Sequence, residues 1–205
     1  MGTRGIFGFR KNGKDMLAYN QYDSYPECGG KNVLNAIRKL KVKKIDELVD
    51  KLKIVNDETL PTEEDIQKLK EYTDLSVSNQ SKNDWYCLTR NTHGDIAKIL
   101  ECGYILEQNS FICDSLFCEW GYIINLDTKK LEIYRGFQTE RPTKSRYKDY
   151  TPEQDDTNSR KYFACELIQE IDLDKIENLK EIEIDGITDA LEKFVSTHEE
   201  ENQKE

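Results

Sequence analysis

The tetrapeptide Lys11-Asn12-Gly13-Lys14 constrains this chain more than any other stretch. Asn-Gly between two strand-forming runs is the strongest short-range signal for a tight β-hairpin, because such turns need residues that tolerate positive φ. Residues 3–10, Thr-Arg-Gly-Ile-Phe-Gly-Phe-Arg, are therefore expected as a first strand and residues 15–22 as its partner. Glycine inside the first strand marks close approach by another backbone. From Tyr25-Pro26 to Gly29-Gly30 the pattern breaks, which reads as a loop.

From Asn32 the hydrophobic period becomes helical. Val33, Leu34, Ile37 and Leu40 share one face, and Ile45, Leu48, Val49 and Leu52 repeat the spacing in a second helix. Thr62 followed by Glu63, Glu64 and Asp65 is a cap for a third helix carrying Ile66, Leu69 and Tyr72. Residues 73–84 are polar and read as loop. Asn91 or Thr92 is expected to cap a short helix over 95–101 that Gly103 ends. Strand patterns then return at 116–126 and 130–137, joined by a turn at Asp127-Thr128-Lys129. Residues 139–159 read as an exposed excursion, 161–171 as a strand and 179–184 as one more. Ile187, Leu191, Phe194 and Val195 give a closing helix. This order predicts an α+β fold: an amino-terminal hairpin, a helical middle, antiparallel strands in the second half forming one sheet or a sandwich, and a closing helix. A single domain is expected over residues 1–198, with 199–205 a frayed acidic tail.

Charge is distributed unevenly. The chain has 30 Lys and Arg against 40 Asp and Glu, a net charge of −10. Residues 1–165 are balanced, whereas residues 166–205 hold 14 acidic and 4 basic side chains. A basic stretch, residues 31–53, has 8 Lys and Arg against 3 acids. The acidic carboxy-terminal part opposes binding to phosphate polymers; it can attract a protein partner with a basic surface, and it can equally be a solvated face that keeps the chain soluble; direct nucleic-acid binding by the basic stretch works against the overall charge. The apolar runs are too short to span a bilayer and the opening residues lack a secretory apolar stretch, so no membrane partner and a cytoplasmic location are expected.

Six cysteines occur at 28, 87, 102, 113, 118 and 165, with no Cys-x-x-Cys pair, and there are only two histidines. Reduced buried thiols are expected, with neither metal nor cofactor. The dinucleotide, phosphate-loop, zinc-protease and nucleophile-elbow motifs are all missing from the sequence.

Several residues can carry chemistry. In Tyr19-Asn20-Gln21-Tyr22-Asp23-Ser24-Tyr25-Pro26, strand alternation places Asn20, Tyr22 and Ser24 on one side and Tyr19, Gln21, Asp23 and Tyr25 on the other. Such a set can orient a ligand or move a proton; it can equally be a strand end in which Asp23 and Ser24 cap a turn. Arg4 can grip a carboxylate or phosphate with two parallel hydrogen bonds, or pair with Asp23. His93 is a candidate general base held by Asp95, or else marks the first turn of a helix whose amino terminus Asp95 favours. Glu119 lies in an apolar run and, if turned inward, needs a partner such as Arg4 or Arg135. Thr3 is a candidate nucleophile only if cleavage after Gly2 frees its amine.

The opening residues Met1-Gly2-Thr3-Arg4-Gly5, the glycines of the hairpin and the segment Tyr19–Pro26 together resemble a family of small uncharacterised proteins from phages and diverse microbes. The strands around Cys118-Glu119-Trp120-Gly121-Tyr122 and Leu131–Tyr134 look similar too. That resemblance implies that the first hairpin is the characteristic part and that the chain is phage-like. Acidic cytosolic phage proteins of this size are often inhibitors of host enzymes, which is an analogy of class only. Gly5-Ile6-Phe7-Gly8 also resembles the opening strand of class II glutamine amidotransferases, where a Cys directly precedes the first Gly. Here Arg4 stands in its place, so the nucleophile is missing.

Two functional expectations follow. One is a non-enzymatic, phage-type modulator or inhibitor that binds a cytosolic defence or nucleic-acid-handling protein, with Arg4, Asn20, Asp23, Ser24 and Tyr25 as binding residues. The other is an amino-terminal-nucleophile-like amidase or hydrolase, or an inactive relative, with Arg4, Asn20, Asp23 and Glu119 around a small-molecule pocket.

Overall fold

The computed structural model describes residues 2–151 and 161–202. The expected hairpin forms from β1 (Gly5–Lys11) and β2 (Lys14–Asn20), with Asn12 and Gly13 at φ 54° and 74°. The Asn12 and Gly13 amides donate to Asp127 at 2.7 and 2.9 Å, so the second hairpin's turn clamps the first. Gly8 shows why glycine stands inside β1: a Cβ there would meet the Met16 carbonyl oxygen at 2.1 Å.

The main sheet has five strands in the order β2-β1-β5-β6-β7, where β5 is Trp120–Asn125, β6 Lys130–Arg135 and β7 Glu166–Asp172. All neighbouring pairs are antiparallel except β1 and β5, which run parallel. The fold is thus α+β as expected, but its sheet is mixed. Parallel neighbours need a long crossover, and the helical middle of the chain supplies it.

One sheet face presents Phe7, Phe9, Trp120, Tyr122, Ile124, Leu131 and Ile133 to helices α1 (Lys31–Leu40), α2 (Val42–Val49), α5 (Ile96–Cys102), α6 (Leu173–Ile176) and α7 (Glu181–Asn202). Val33, Leu34 and Ile37 are fully buried there, as the helical spacing requires. Lys41, at φ 67°, separates α1 from α2. A satellite core of Val55, Leu69, Trp85, Leu88, Tyr104 and Leu106 joins strands β3 (Lys53–Val55) and β4 (Tyr104–Leu106) to α3 (Glu63–Lys68) and α4 (Trp85–Thr89). There Asp65 closes a capping box with Thr62. It also accepts from Lys53 Nζ at 2.5 Å and Tyr104 OH at 2.7 Å.

The structure corrects the sequence reading at several points. Residues Pro26–Gly30 are a π-helical turn running straight into α1, not a loop. Gly29 and Gly30 let that turn settle on the core, since Cβ atoms there would meet Phe7 at 2.7 Å and Tyr122 at 3.1 Å. The cap of α5 is Asp95, rather than Asn91 or Thr92. Strand pairing begins at Trp120 and Glu166, later than the apolar patterns begin. Residues 181–184, expected within a strand, open α7, because helical spacing buries Ile184 and Leu191 together while leaving Ile182 exposed.

The excursion is not wholly exposed either; its residues 152–159 lie outside the described ones. Arg146 reaches under residues 138–151 to Glu132 at 2.5 Å and Asp15 at 3.3 Å. Tyr147 donates to Asp15 at 2.8 Å, Tyr134 to Glu132 at 3.0 Å, and Asn125 to Glu132 at 2.6 Å. This buried, mutually satisfied network fastens the excursion to the second sheet face, beside the small core of Ile6, Leu17, Ile123 and Tyr134. The last residues of the expected tail, 203–205, are outside the described residues, and α7 continues through 199–202.

The two charged segments also find each other. Lys31 pairs with Asp185 at 2.6 Å, Lys41 Nζ donates to the Glu177 carbonyl at 2.5 Å, and the Val42 amide donates to the Glu177 carboxylate. Part of the acidic carboxy-terminal charge therefore acts within the chain, holding α6 and α7 against α1 and α2. Among the described residues no helix is long and apolar enough to cross a membrane.

Candidate functional site

The sheet register lines up Gly5, Asn20, Trp120 and Arg135 at one end of neighbouring strands. The residues that continue past those positions form a rim. On it stand Tyr22, Leu116, Phe117 and Phe137, exposed by 50, 38, 45 and 43%. Arginines lie across these rings: Arg4 over Phe117 at 4.9 Å, Arg90 over Tyr22 at 5.6 Å and Tyr86 at 5.8 Å, and Arg135 over Phe137 at 4.8 Å and Trp120 at 5.0 Å. Aromatic rings and arginines at one exposed place are the composition of interface hot spots.

Phe137 is held in an unfavourable backbone state, at φ 60°. A bulky L-residue there is a genuine outlier. The neighbouring chain enforces it. The Phe137 amide donates to the Ser115 carbonyl at 2.6 Å, the Gln138 amide to Ser115 Oγ at 3.0 Å, and the Gln138 side chain to the Gly136 carbonyl at 2.8 Å. Gly136 packs so tightly that a Cβ would meet the Cys118 carbonyl oxygen at 2.1 Å. The result is a phenyl ring displayed to solvent by a strained, pinned loop.

The residues singled out in the sequence gather near this rim. Arg4 belongs to the rim. Its backbone amide donates to half-buried Glu119 at 3.3 Å, and no ion pair joins its guanidinium to Asp23 or Glu119. Asn20 and Ser24 are buried and internal: Asn20 donates to Ser24 Oγ at 2.9 Å and to the Tyr22 carbonyl, while the Ser24 amide donates to the Thr3 carbonyl at 3.1 Å. They fix the bend that carries Tyr22. Asp23 takes up φ 54°, accepts from the Gly29 amide through its carbonyl at 2.9 Å, and leaves its carboxylate in solvent. Tyr25 packs against the main core, and its bond from Cys28 pushes its hydroxyl up to about 12. Among the described residues no hydrogen bond or ion pair links the side chains of Thr3, Asp23, His93 and Glu119 to one another, although the Thr3 carbonyl accepts the Ser24 amide, the Arg4 amide donates to Glu119, and Gly94, next to His93, packs on the Asn20 side chain.

His93 corrects the base reading. Asp95 does not hold it; that carboxylate caps α5 through the Lys98 amide at 3.1 Å and pairs with Lys98. The imidazole instead meets the edge of Tyr86, its centroid 4.8 Å away, and bonds Thr89 Oγ1 at 3.3 Å through Nε2; Nδ1 has no hydrogen-bond partner among the described residues. Burial, then the charge of Arg90, pushes its pKa down to about 3. A neutral ring of that kind supports Tyr86 and Arg90 rather than shuttling protons near pH 7.

Grooves of about 510 Å³ beside Lys11, Asp15, Met16 and Glu107, and of about 310 Å³ beside Asp57, Asp84 and Trp85, take in none of the candidate residues. No group of three or more His, Cys, Asp or Glu among the described residues is placed to hold a metal ion. Sequence reasoning missed Arg90, Tyr86, Phe117 and Phe137. Phe117 read as strand core, and the dipeptide Gly136-Phe137, just past a strand and too short to fill a core, was the available signal. Comparison of the chain with protein-family models, curated proteins and solved structures gives no match.

Proposed function

We propose that this protein is a binding protein, engaging another polypeptide through the rim of Phe137, Phe117 and Tyr22 with their stacked arginines. The observation that carries this reading is Phe137. Strain persists only where the surroundings impose it, and strained residues cluster at functional sites. Here the imposed conformation displays an apolar ring rather than burying it, which lowers stability unless something covers the ring. The three exposed rings with Arg4, Arg90 and Arg135 supply anchors of the kind that dominate protein interfaces. A modulator of phage type, the role implied by the resemblance of residues 1–26, would act in this way. Part of the acidic carboxy-terminal charge, at Asp185 and Glu177, is engaged by Lys31 and the Val42 amide, which leaves less of it to attract a basic partner surface.

The test is affinity capture from the native cellular context with the wild-type chain, Phe137→Gly and Phe117→Ala, each checked for an intact thermal transition. Both variants should fold and lose the same specific partner. A folded pair of variants that retains every wild-type partner rejects the rim as the binding surface.

A further inference from the structure

The two edges of the main sheet are finished differently. At β2 the outward backbone groups are taken up by residues 108 and 109. The Leu17 amide donates to Asn109 Oδ1 at 2.9 Å and the Gln108 amide to the Leu17 carbonyl at 2.8 Å. The Tyr19 amide donates to the Gln108 side chain at 3.2 Å, and Asn109 Nδ2 to the Asp15 carbonyl at 2.9 Å. At the other edge β7 has β6 as its one strand neighbour. The Leu173 amide donates to the Lys129 carbonyl at 2.9 Å, and bonding directions alternate along an antiparallel strand. The amides of Asp172 and Glu170 and the Glu170 carbonyl therefore point away from β6. None of the three has a hydrogen-bond partner among the described residues.

Open backbone edges invite a further strand, and proteins guard them with charges, bulges or covering loops. β7 is guarded at its start: the register shifts between Ile133 and Tyr134, and the Thr143 and Lys144 amides donate to the Glu166 carboxylate at 2.8 and 2.9 Å. Further along, Gln169 and Glu170 are exposed. Side chains alternate there. Glu170 and Asp172 share one face, while half-buried Ile171 lies on the other and packs against the main core. The run from β7 into α6 is acidic, with Glu166, Glu170, Asp172, Asp174 and Glu177 against Lys175. Lys130 pairs with Glu170 at 3.2 Å and Lys175 with Asp172 at 2.8 Å, but these four side chains keep 37–75% of their surface in water, where such pairs are weak.

We propose that residues 168–172 of β7 accept an extended segment of a partner polypeptide as an added strand, and that this segment alternates basic with apolar residues. Its amides and carbonyls meet the outward groups of Glu170 and Asp172. Its basic side chains lie opposite those two carboxylates, and its apolar ones extend the face of Ile171. The same carboxylates oppose pairing of β7 with a second copy of itself, since like charges would then face each other. This surface is separate from the rim of exposed rings and does not depend on it.

The test uses the intact chain and a blocked heptapeptide of alternating Lys and Val as probe, followed by NMR with amide hydrogen exchange. In the free chain the Ile171 and Leu173 amides should be protected and those of Glu170 and Asp172 should exchange freely. Saturating peptide should protect Glu170 and Asp172, and less so as salt rises. Methylating the peptide's backbone nitrogens keeps its charge and removes its donors, and should weaken binding on the order of tenfold. Glu170→Lys should weaken it about fivefold. Asp172 has φ −60°, which proline accepts, and its outward amide carries no ladder bond, so Asp172→Pro should fold normally and weaken binding about tenfold. Asp172→Asn, which keeps the amide, should bind more tightly than Asp172→Pro. Glu170 and Asp172 amides as protected as Ile171 in the free chain would show the edge already covered and overturn the proposal. Protection that grows with protein concentration alone would reassign the edge to a second copy of this chain. A methylated peptide that binds equally well reduces the contact to charge attraction without strand addition. An alternating Glu and Val peptide that binds as tightly removes the basic partner.

Discussion

Replacing Phe137 by Gly and, separately, by Ala tests the strain on which the functional reading depends. At φ 60° an L-residue pays a backbone penalty of about 1–2 kcal/mol that glycine escapes. Glycine is disfavoured by its greater freedom in the unfolded chain, about 0.5–1 kcal/mol relative to alanine. Both variants lose the same ring, 43% exposed, and its contact with Arg135, worth about 0.5–1 kcal/mol at an exposed site. Those losses cancel in the comparison. Phe137→Gly is therefore expected to be more stable than Phe137→Ala by about 0.5–1 kcal/mol, against the usual order of these two residues. Urea unfolding followed by the fluorescence of buried Trp85 and Trp120 reads this difference, provided the two slopes agree. A chain of this size should show a gap of about 1–4 °C in thermal midpoint. If Ala equals or exceeds Gly, position 137 relaxes to an ordinary backbone, and the argument from strain to function fails.

Three further outcomes are expected. Arg146→Ala leaves the Glu132 and Asp15 carboxylates without their buried counter-charge and should lower stability by about 3–5 kcal/mol in urea; adding Glu132→Gln should restore part of it, and a loss below about 1 kcal/mol would show that solvent screens the network. Asp65→Ala removes the α3 cap and its bonds to Lys53 and Tyr104, with an expected loss of about 2–4 kcal/mol; burial opposes the Asp65 charge, but those bonds hold its carboxyl well below the usual range, so the contribution should persist at pH 5 and fade only in strong acid. His93 has the opposite chemistry with the same sign: its folded pKa of about 3 lies below the unfolded value near 6.5, so the unfolded chain binds the extra proton in between and stability falls as pH drops through that window. His93→Phe should remove on the order of 3 kcal/mol of the wild-type loss between pH 7 and pH 4, and identical pH profiles would refute it.

Local signals fixed by covalent geometry were legible. Asn12-Gly13 specified the first hairpin because both residues accept positive φ, Thr62 and Asp65 specified the α3 cap, and Gly103 ended α5 in the left-handed conformation. Helical spacing gave the buried faces of α1 and α2. Of the candidate residues, Arg4 lies over the exposed Phe117 ring, while Asn20 and Ser24 fasten the bend that carries Tyr22. Residues 179–184 show the limit of pattern reading: alternation of apolar residues suits a strand, and burial of Ile184 against the core selected a helix.

What the sequence determined by itself is therefore the first hairpin, the faces of α1 and α2, the cap of α3 and the end of α5, since each depends on neighbours a few residues away. The tertiary structure decided how they meet. Parallel pairing of β1 with β5 brings Arg4 beside Phe117 and Glu119, and folding of the helical middle adds Arg90. Whether a ring is buried or displayed, and whether an arginine is bonded or free, depends on contacts between distant parts of the chain, and no local pattern encodes them.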